Sequence, residues 1–281
     1  MWHLSKVPKI LHVFWSNNIL SFLRFQTINT FSKYNPDWQI RYYYPKVKYT
    51  GERLWNRDFP GQLIGRDYTT MVSALPNTQM IEVDFDSWGI GNIPEVYRSD
   101  LLRLKMLEAE GGIYVDMDIL FFKPMADCWF NRLEYSETNT IISYHPTRYH
   151  YSIGFLGSSK GNLFYKHLYD AGRKKIVNKG DYQFLGIILW HGCFQTPSDI
   201  LRTYPQLKIL DIEMDLVYSL DSRQIKEIYE LNVPLTNLKT VGLHWYAGHP
   251  LGVPAENNIR EDTYKNINNT IAAVLRRALD E

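Results

Sequence analysis

Hydrophobic positions fall into short blocks that carry two different periods. Lys9–Trp15 (KILHVFW) is an apolar, β-prone run between Pro8 and Ser16-Asn17-Asn18, and reads as a buried strand ending in a loop. From Ile19 to Tyr34 the apolar residues Leu20, Leu23, Ile28 and Phe31 recur at helical spacing, and Asn35-Pro36-Asp37 stops the helix. Trp38–Tyr44 is a second strand, closed by Pro45. This strand–helix–strand opening predicts an α/β fold with a parallel sheet. Residues 49–94 are punctuated by glycine and proline, so only short helices or turns are expected there. Helical period returns over Glu95–Glu110, with Pro94 at its start and Gly111-Gly112 as its stop. This helix should bury Val96, Leu101, Leu104 and Leu107. Ile113–Phe122 follows as a strand with two carboxylates in its middle. Beyond it, Thr140–Tyr144 and Leu207–Ile212 read as strands, Leu163–Gly172 as a helix and Gln183–Trp190 as either. Asp262–Leu279 is an amphipathic helix with Arg276 and Arg277 near its end, where the helix dipole favours cations.

Composition narrows the class. The 281 residues are 45% hydrophobic and 22% charged, which suits one large domain over 1–281 and excludes a disordered or fibrous chain. Lys+Arg 31 against Asp+Glu 30 leaves a net +1, so no global field attracts nucleic acid. The one basic cluster, Arg173-Lys174-Lys175, reads as a solvated helix end. Two cysteines, Cys128 and Cys193, do not make a disulfide scaffold and fit a reducing compartment. The longest apolar stretch, Phe184–Trp190, falls far short of the roughly 20 residues of a membrane helix. The N-terminus lacks the apolar region of a signal peptide. The expectation is a cytoplasmic protein without a transmembrane segment, whose basic N-terminal residues permit peripheral contact with an anionic membrane. Aromatic content is 15%, which serves a core or the stacking of sugars and bases.

Chemistry concentrates at Asp116-Met117-Asp118. Strand alternation would send both carboxylates to one face, where like charges in an apolar run call for a cation. A hard divalent ion such as Mg²⁺ or Mn²⁺ takes such oxygen ligands and completes its shell with phosphates and water. A solvent-facing pair at a strand end, or one aspartate capping a turn, gives the same letters. On the preceding helix Asp100 and Arg103 share a face, with Arg98 nearby, and the double glycine lets the chain turn so that both approach the acidic pair. An arginine fork suits a diphosphate, although an intrahelical ion pair on the surface would also place these residues there.

The stretch Tyr97–Pro124 closely resembles the signature of D-x-D sugar transferases of glycosyltransferase family 32, and the core of the large clostridial glucosylating toxins. Ser99, Asp100, Arg103, Gly111, Gly112, Tyr114, Asp116 and Asp118 all match the S-D-x-x-R…G-G-x-Y-x-D-x-D pattern. The opening VPKILHVFW and the Asn35-Pro36-x-Trp38 element resemble that family's first strand and its N-P-x-W element. Gly242–Pro250 (GLHWYAGHP) is similar to its H-W-x-G-S-W segment, without the serine and the final tryptophan. The resemblance is weak over 49–94 and 125–240, where acceptor specificity would reside.

The resemblance implies a GT-A fold, with a nucleotide-sugar core from 1–48 and 95–125 and an acceptor side and closing segment over 126–260. It implies that Asp118 ligates the metal and Asp116 the metal, ribose or sugar. Arg103 and Asp100 would hold the donor sugar and phosphates, Phe14 and Trp15 would flank the base, and Tyr114 would position the donor. His244 is the expected further metal ligand, with His249 a weaker candidate, and Trp245 would cover the donor or pack. The implied activity is a retaining, Mn²⁺- or Mg²⁺-dependent hexosyl- or pentosyl transfer. The donor would be a UDP- or GDP-sugar and the acceptor a glycan or other hydroxyl, in surface polysaccharide or glycan synthesis. Asp211, Glu213 and Asp215 are acidic but read equally as surface positions, so no catalytic base is assigned. Two rival readings are a haloacid-dehalogenase-like phosphotransferase, against which Ile119 stands in place of the motif's glycine, and a non-catalytic sugar-binding module.

Overall fold

The β-prone run at the N-terminus becomes the middle of a sheet. The computed structural model describes residues 6–16, 19–51, 65–127, 136–146, 148–179, 185–212 and 215–280. In chain order the elements are β1 (Ile10–Phe14), α1 (Phe22–Tyr34), β2 (Gln39–Pro45), α2 (Thr69–Val72), β3 (Thr78–Val83), α3 (Glu95–Ala109), β4 (Gly112–Val115) and β5 (Ile119–Phe121). They continue with β6 (Thr140–Ile142), β7 (Tyr144–His145), β8 (His150–Tyr151), β9 (Phe155–Ser158), α4 (Leu163–Lys179), α5 (Ile187–Cys193) and α6 (Pro197–Thr203). The last are β10 (Ile209–Asp211), α7 (Ile225–Tyr229), β11 (Gly242–His244), α8 (Gly252–Asn258) and α9 (Thr270–Asp280).

Seven strands form one mixed sheet in the order β10-β6-β9-β4-β1-β2-β3. Pairing is parallel except on both sides of β9. Alternate strand residues feed two cores on opposite faces. Leu11, Val13, Ile113 and Val115 point to the face covered by α1 and α9, while Phe14, Tyr43 and Tyr114 point to the face covered by α3 and α4. Most large aromatics fill these cores, Trp190, Trp245, Tyr42 and Tyr165 among them. Ser21 caps α1 by accepting the Arg24 N–H at 3.3 Å. Thr30 Oγ1 on α1 accepts the Phe121 N–H of β5 at 3.1 Å, and Phe31 meets the Phe121 ring edge-on.

The structure departs from the sequence pattern at several points. Residues 78–83 form an edge strand, β3, where only turns or short helices were expected, because its residues pair with β2 on one side only. The apolar run from Ile113 to Phe122 is two strands of different sheets, since the chain turns at Met117-Asp118 and β5 pairs with β11 instead. The two aspartates therefore sit on a turn, not on the pleat of one strand. Val96 is 44% exposed, so it stands off the buried face of α3, which Glu95 and Tyr97 carry on either side of it. The C-terminal helix starts at Thr270 rather than Asp262, because Asn269 Oδ1 accepts the Ala272 N–H and a 3-10 turn occupies Tyr264–Asn266. Gly111 and Gly112 have φ of 73° and 99°, and an added Cβ would meet Lys160 N at 2.6 Å and Ile10 O at 2.5 Å. That double glycine swings α3 back along β4. Cys128 and Glu213 lie outside the described residues, while Cys193 is a half-buried free thiol.

Candidate active site

Helix α3 delivers the cationic wall. Arg103 is buried at 4% exposure, and its guanidinium is held from four directions. Nη1 donates to the Ile153 carbonyl at 2.7 Å and Nη2 to Ser99 Oγ at 3.1 Å. Nη2 also pairs with Asp100 at 3.1 Å and with Asp116 at 3.2 Å. The guanidinium lies 4.5 Å over the Tyr114 ring, whose hydroxyl is 2.7 Å from Ser99 Oγ. Burial would favour a neutral arginine, but Asp116, Tyr114 and Asp100 together keep it more firmly protonated than usual. Asp100 is pushed up to about 6 by burial, against the pull of Arg103 and with the repulsion of Asp116. The Asp100–Arg103 contact is thus an internal pair and not the solvated surface pair that the spacing also allowed. Arg98 leaves this group and donates to the Val47 carbonyl at 2.7 Å and to the Gly91 carbonyl.

The opposite wall comes from far along the chain. Antiparallel pairing sets His244 of β11 across from Ile119 of β5, one residue past Asp118. His244 Nε2 lies 3.1 Å from Asp118 Oδ1, and Asp118 Oδ2 accepts the Ala247 N–H at 2.9 Å. Burial alone would raise Asp118, but His244, Arg24 and the Ala247 N–H outweigh it and hold the carboxyl below its usual range. Asp116 goes the other way: burial and the Asp118 charge raise it despite Arg103.

Ligand atoms of Asp116, Asp118 and His244 all lie within 4.8 Å of one another. Asp118 Oδ1 is buried and faces the His244 imidazole. Two carboxylates and an imidazole nitrogen brought this close are a donor set that fits a divalent cation of the Mg²⁺ or Mn²⁺ kind. Nδ1 of His244 accepts the Tyr246 N–H at 3.2 Å, which places the neutral ring's proton on Nε2. Ligation through Nε2 therefore needs the other tautomer and a local shift at Tyr246, a residue already at a left-handed φ of 50°.

These walls line a cavity of about 630 Å³ that also takes in Phe14, Trp15, Ser99 and Tyr114. Arg24 from α1 lies 4.3 Å from the Trp15 ring centre and is itself paired with buried Glu256 of α8 at 2.8 Å. Eight of the ten expected site residues line the cavity, and a ninth, Asp100, joins through Arg103. Trp245 does not: it is fully buried in the core, and Tyr246 takes the place on the wall. The tryptophan packs rather than covers. His249 reaches the cavity, and its Nδ1 accepts the Leu251 N–H at 3.1 Å. Asp211 accepts the Tyr144 N–H at 3.0 Å and serves the sheet edge. Sequence patterns gave no sign of Arg24, Gly154 or Tyr218. Gly154 sits so close that an added Cβ would be 2.7 Å from Asp116 Oδ2.

Residues 22–144 match the family model described as a glycosyltransferase sugar-binding region containing a DXD motif. The chain is 23% identical over 189 residues to Subversion of eukaryotic traffic protein A of Legionella pneumophila subsp. pneumophila, a match covering 64% of this chain and 27% of that protein. It thus spans about a quarter of that curated relative's length. In fold it is similar to the solved PaToxG glycosyltransferase, with a TM-score of 0.50 and 17% identity over 97% of this chain and 87% of that one. GlyE of Streptococcus pneumoniae TIGR4 superposes with a TM-score of 0.47 and 11% identity, over 97% and 60% of the two chains. Neither the phosphotransferase nor the sugar-binding module is needed to account for the acidic turn. Residues 22–144 thus resemble a DXD-containing sugar-binding region of glycosyltransferases, and the chain as a whole has a GT-A fold.

Proposed function

We propose that this chain transfers a hexosyl or pentosyl group from a UDP- or GDP-sugar to a glycan hydroxyl, with Mn²⁺ or Mg²⁺ held by Asp116, Asp118 and His244. The observation that carries this reading is the meeting of those three groups within 4.8 Å beside Arg103, on the wall of one cavity. Phe14 and Trp15 offer aromatic surface for the base at the end of β1. Arg103 supplies a fixed fork to the departing diphosphate, pre-oriented by Ile153 and Ser99, so little reorganisation is needed as charge develops. Tyr114 and Asp100 keep that fork in place. A bound cation would add Lewis-acid stabilisation of the same leaving group. The retaining outcome and a role in surface glycan synthesis follow the family resemblance.

Thermal unfolding against a panel of nucleotide sugars, with Mn²⁺ or with EDTA, tests the reading. Donor at about 100 times its Kd should add about 2.7 kcal/mol of stability to the wild type. This gain should vanish in EDTA and in Asp118→Ala. A gain that survives both conditions would overturn the cation site.

A further inference from the structure

The Tyr218 hydroxyl is a buried polar group beside the site that the proposed function leaves without a task. Tyr218 lies between β10 and α7 at 3% exposure, its ring 5.0 Å from that of His244. Its Oη is buried and has no hydrogen-bond partner. An added Cβ at Gly154 would stand 2.9 Å from Tyr218 Oη and 2.7 Å from Asp116 Oδ2, so both oxygens border the space that this glycine leaves. Asp116 is steered elsewhere in this arrangement. Its Oδ1 faces Arg103 at 3.2 Å, while its backbone N–H is anchored to the Gly154 carbonyl at 2.8 Å.

A buried O–H that meets no acceptor has lost its hydration without replacement. A carboxylate can only accept, and the acidic groups around this phenol are Asp116 and Asp118. Asp118 Oδ2 is already taken by the Ala247 N–H, and its Oδ1 faces His244. Asp116 Oδ2, which borders the same space as the phenol, is the acceptor that remains, on a side chain free to turn about its anchored backbone. Tyr218 does not line the cavity, so it would act through Asp116 and not on the donor.

We propose that Tyr218 is a positioning residue for Asp116: as the carboxylate turns from Arg103 toward a bound divalent cation, its Oδ2 accepts the Tyr218 hydroxyl. The inference rests on the cation site of the proposed function. Hydrogen bonds to the outer oxygen of a ligating carboxylate fix its orientation and typically change metal affinity by about 10–100-fold.

Tyr218→Phe keeps the ring and removes the O–H. Mn²⁺ titration by calorimetry, with unfolding of the cation-free proteins alongside, reads the two consequences separately. The expected result is an unchanged or higher Tm without cation and a Mn²⁺ affinity about tenfold weaker. The substitution should have no further effect on affinity in an Asp116→Asn background. Equal affinity of wild type and variant would overturn the inference and leave the cation site standing. A lower cation-free Tm with unaltered affinity would make the phenol structural, which overturns it as well. A wild type that does not bind Mn²⁺ would overturn both readings.

Discussion

Asp116 and Asp118 are two positions apart in the chain, yet Asp116 belongs to the α3 wall through Arg103, and Asp118 to the β11 wall through His244 and Ala247. The α3 wall is a closed ion cluster in which one arginine serves two carboxylates, and both carboxylates are held above their usual range. The β11 wall holds its carboxylate below that range, with one oxygen on the Ala247 N–H and the other facing the imidazole. The turn at Met117 makes this division, because a continuous strand would have given both side chains one environment. Neighbouring groups of one type acquire separate tasks when their surroundings push them apart. In the proposed function the α3 wall would combine fold stability with phosphate recognition, and the β11 wall would take the cation.

Removing one partner from each wall tests the division most severely. Arg103→Met leaves Asp100 buried with no counter-ion and should cost about 3–5 kcal/mol in urea unfolding. His244→Ala should cost only about 1 kcal/mol. The same variant should weaken Mn²⁺ binding about 10–100-fold by calorimetry. Equal losses of stability would erase the distinction. Gly154→Ala acts between the walls, since its methyl needs the space beside Asp116 Oδ2. About 1–3 kcal/mol of destabilisation is expected, together with weaker Mn²⁺ binding as Asp116 is displaced.

The smallest effect is one of pH. Asp100 titrates near 6 in the folded chain because burial outweighs Arg103, so the native state binds its proton more tightly than the unfolded state. Its contribution is present below the usual carboxylate pKa and is lost as pH rises toward 6. Buried His12 behaves oppositely. Desolvation lowers it to about 4, although its Nε2–H donates to the Gly111 carbonyl at 2.7 Å. Stability from the neutral ring is present above the unfolded value of 6.5 and is lost as pH falls toward 4. The two slopes oppose each other between pH 4 and 6. Asp100→Asn should unmask His12, making unfolding free energy rise by about 1.4 kcal/mol more per pH unit than in wild type. A slope unchanged from wild type would remove Asp100 from the balance.

Much of this was legible in sequence where cause and effect are local. β1, α1, β2 and α3 follow from apolar period and from their proline, asparagine and glycine stops. Ser99, Asp100, Arg103, Tyr114, Asp116 and Asp118 were readable as a group because one helix, one double glycine and one strand bring them together. β3 was hidden because an edge strand carrying Gln79 and Glu82 has the polarity of a loop. The break at Met117 was hidden because Ile113–Phe122 is apolar on both sides of it, and apolar runs do not record which sheet they join. Tyr246 and Trp245 differ in role only through a backbone twist that no pattern announces. Arg24, Gly154 and Tyr218 reach the site through contacts between distant segments, and each is a single residue with no motif around it.

The pairing of β11 with β5 also imposes a schedule on the newborn chain. At roughly 5–20 residues per second, a ribosome delivers His244 about 6–25 seconds after Asp118. Throughout that interval the acidic turn lacks both its imidazole and the amide of Ala247, and the outer edge of β5 stands open. A nascent chain paused there presents the Asp118 carboxylate without its downstream partners and a bare apolar edge to whichever strand arrives first. Timely arrival of the C-terminal segment therefore protects the growing chain from mispairing as well as completing the site.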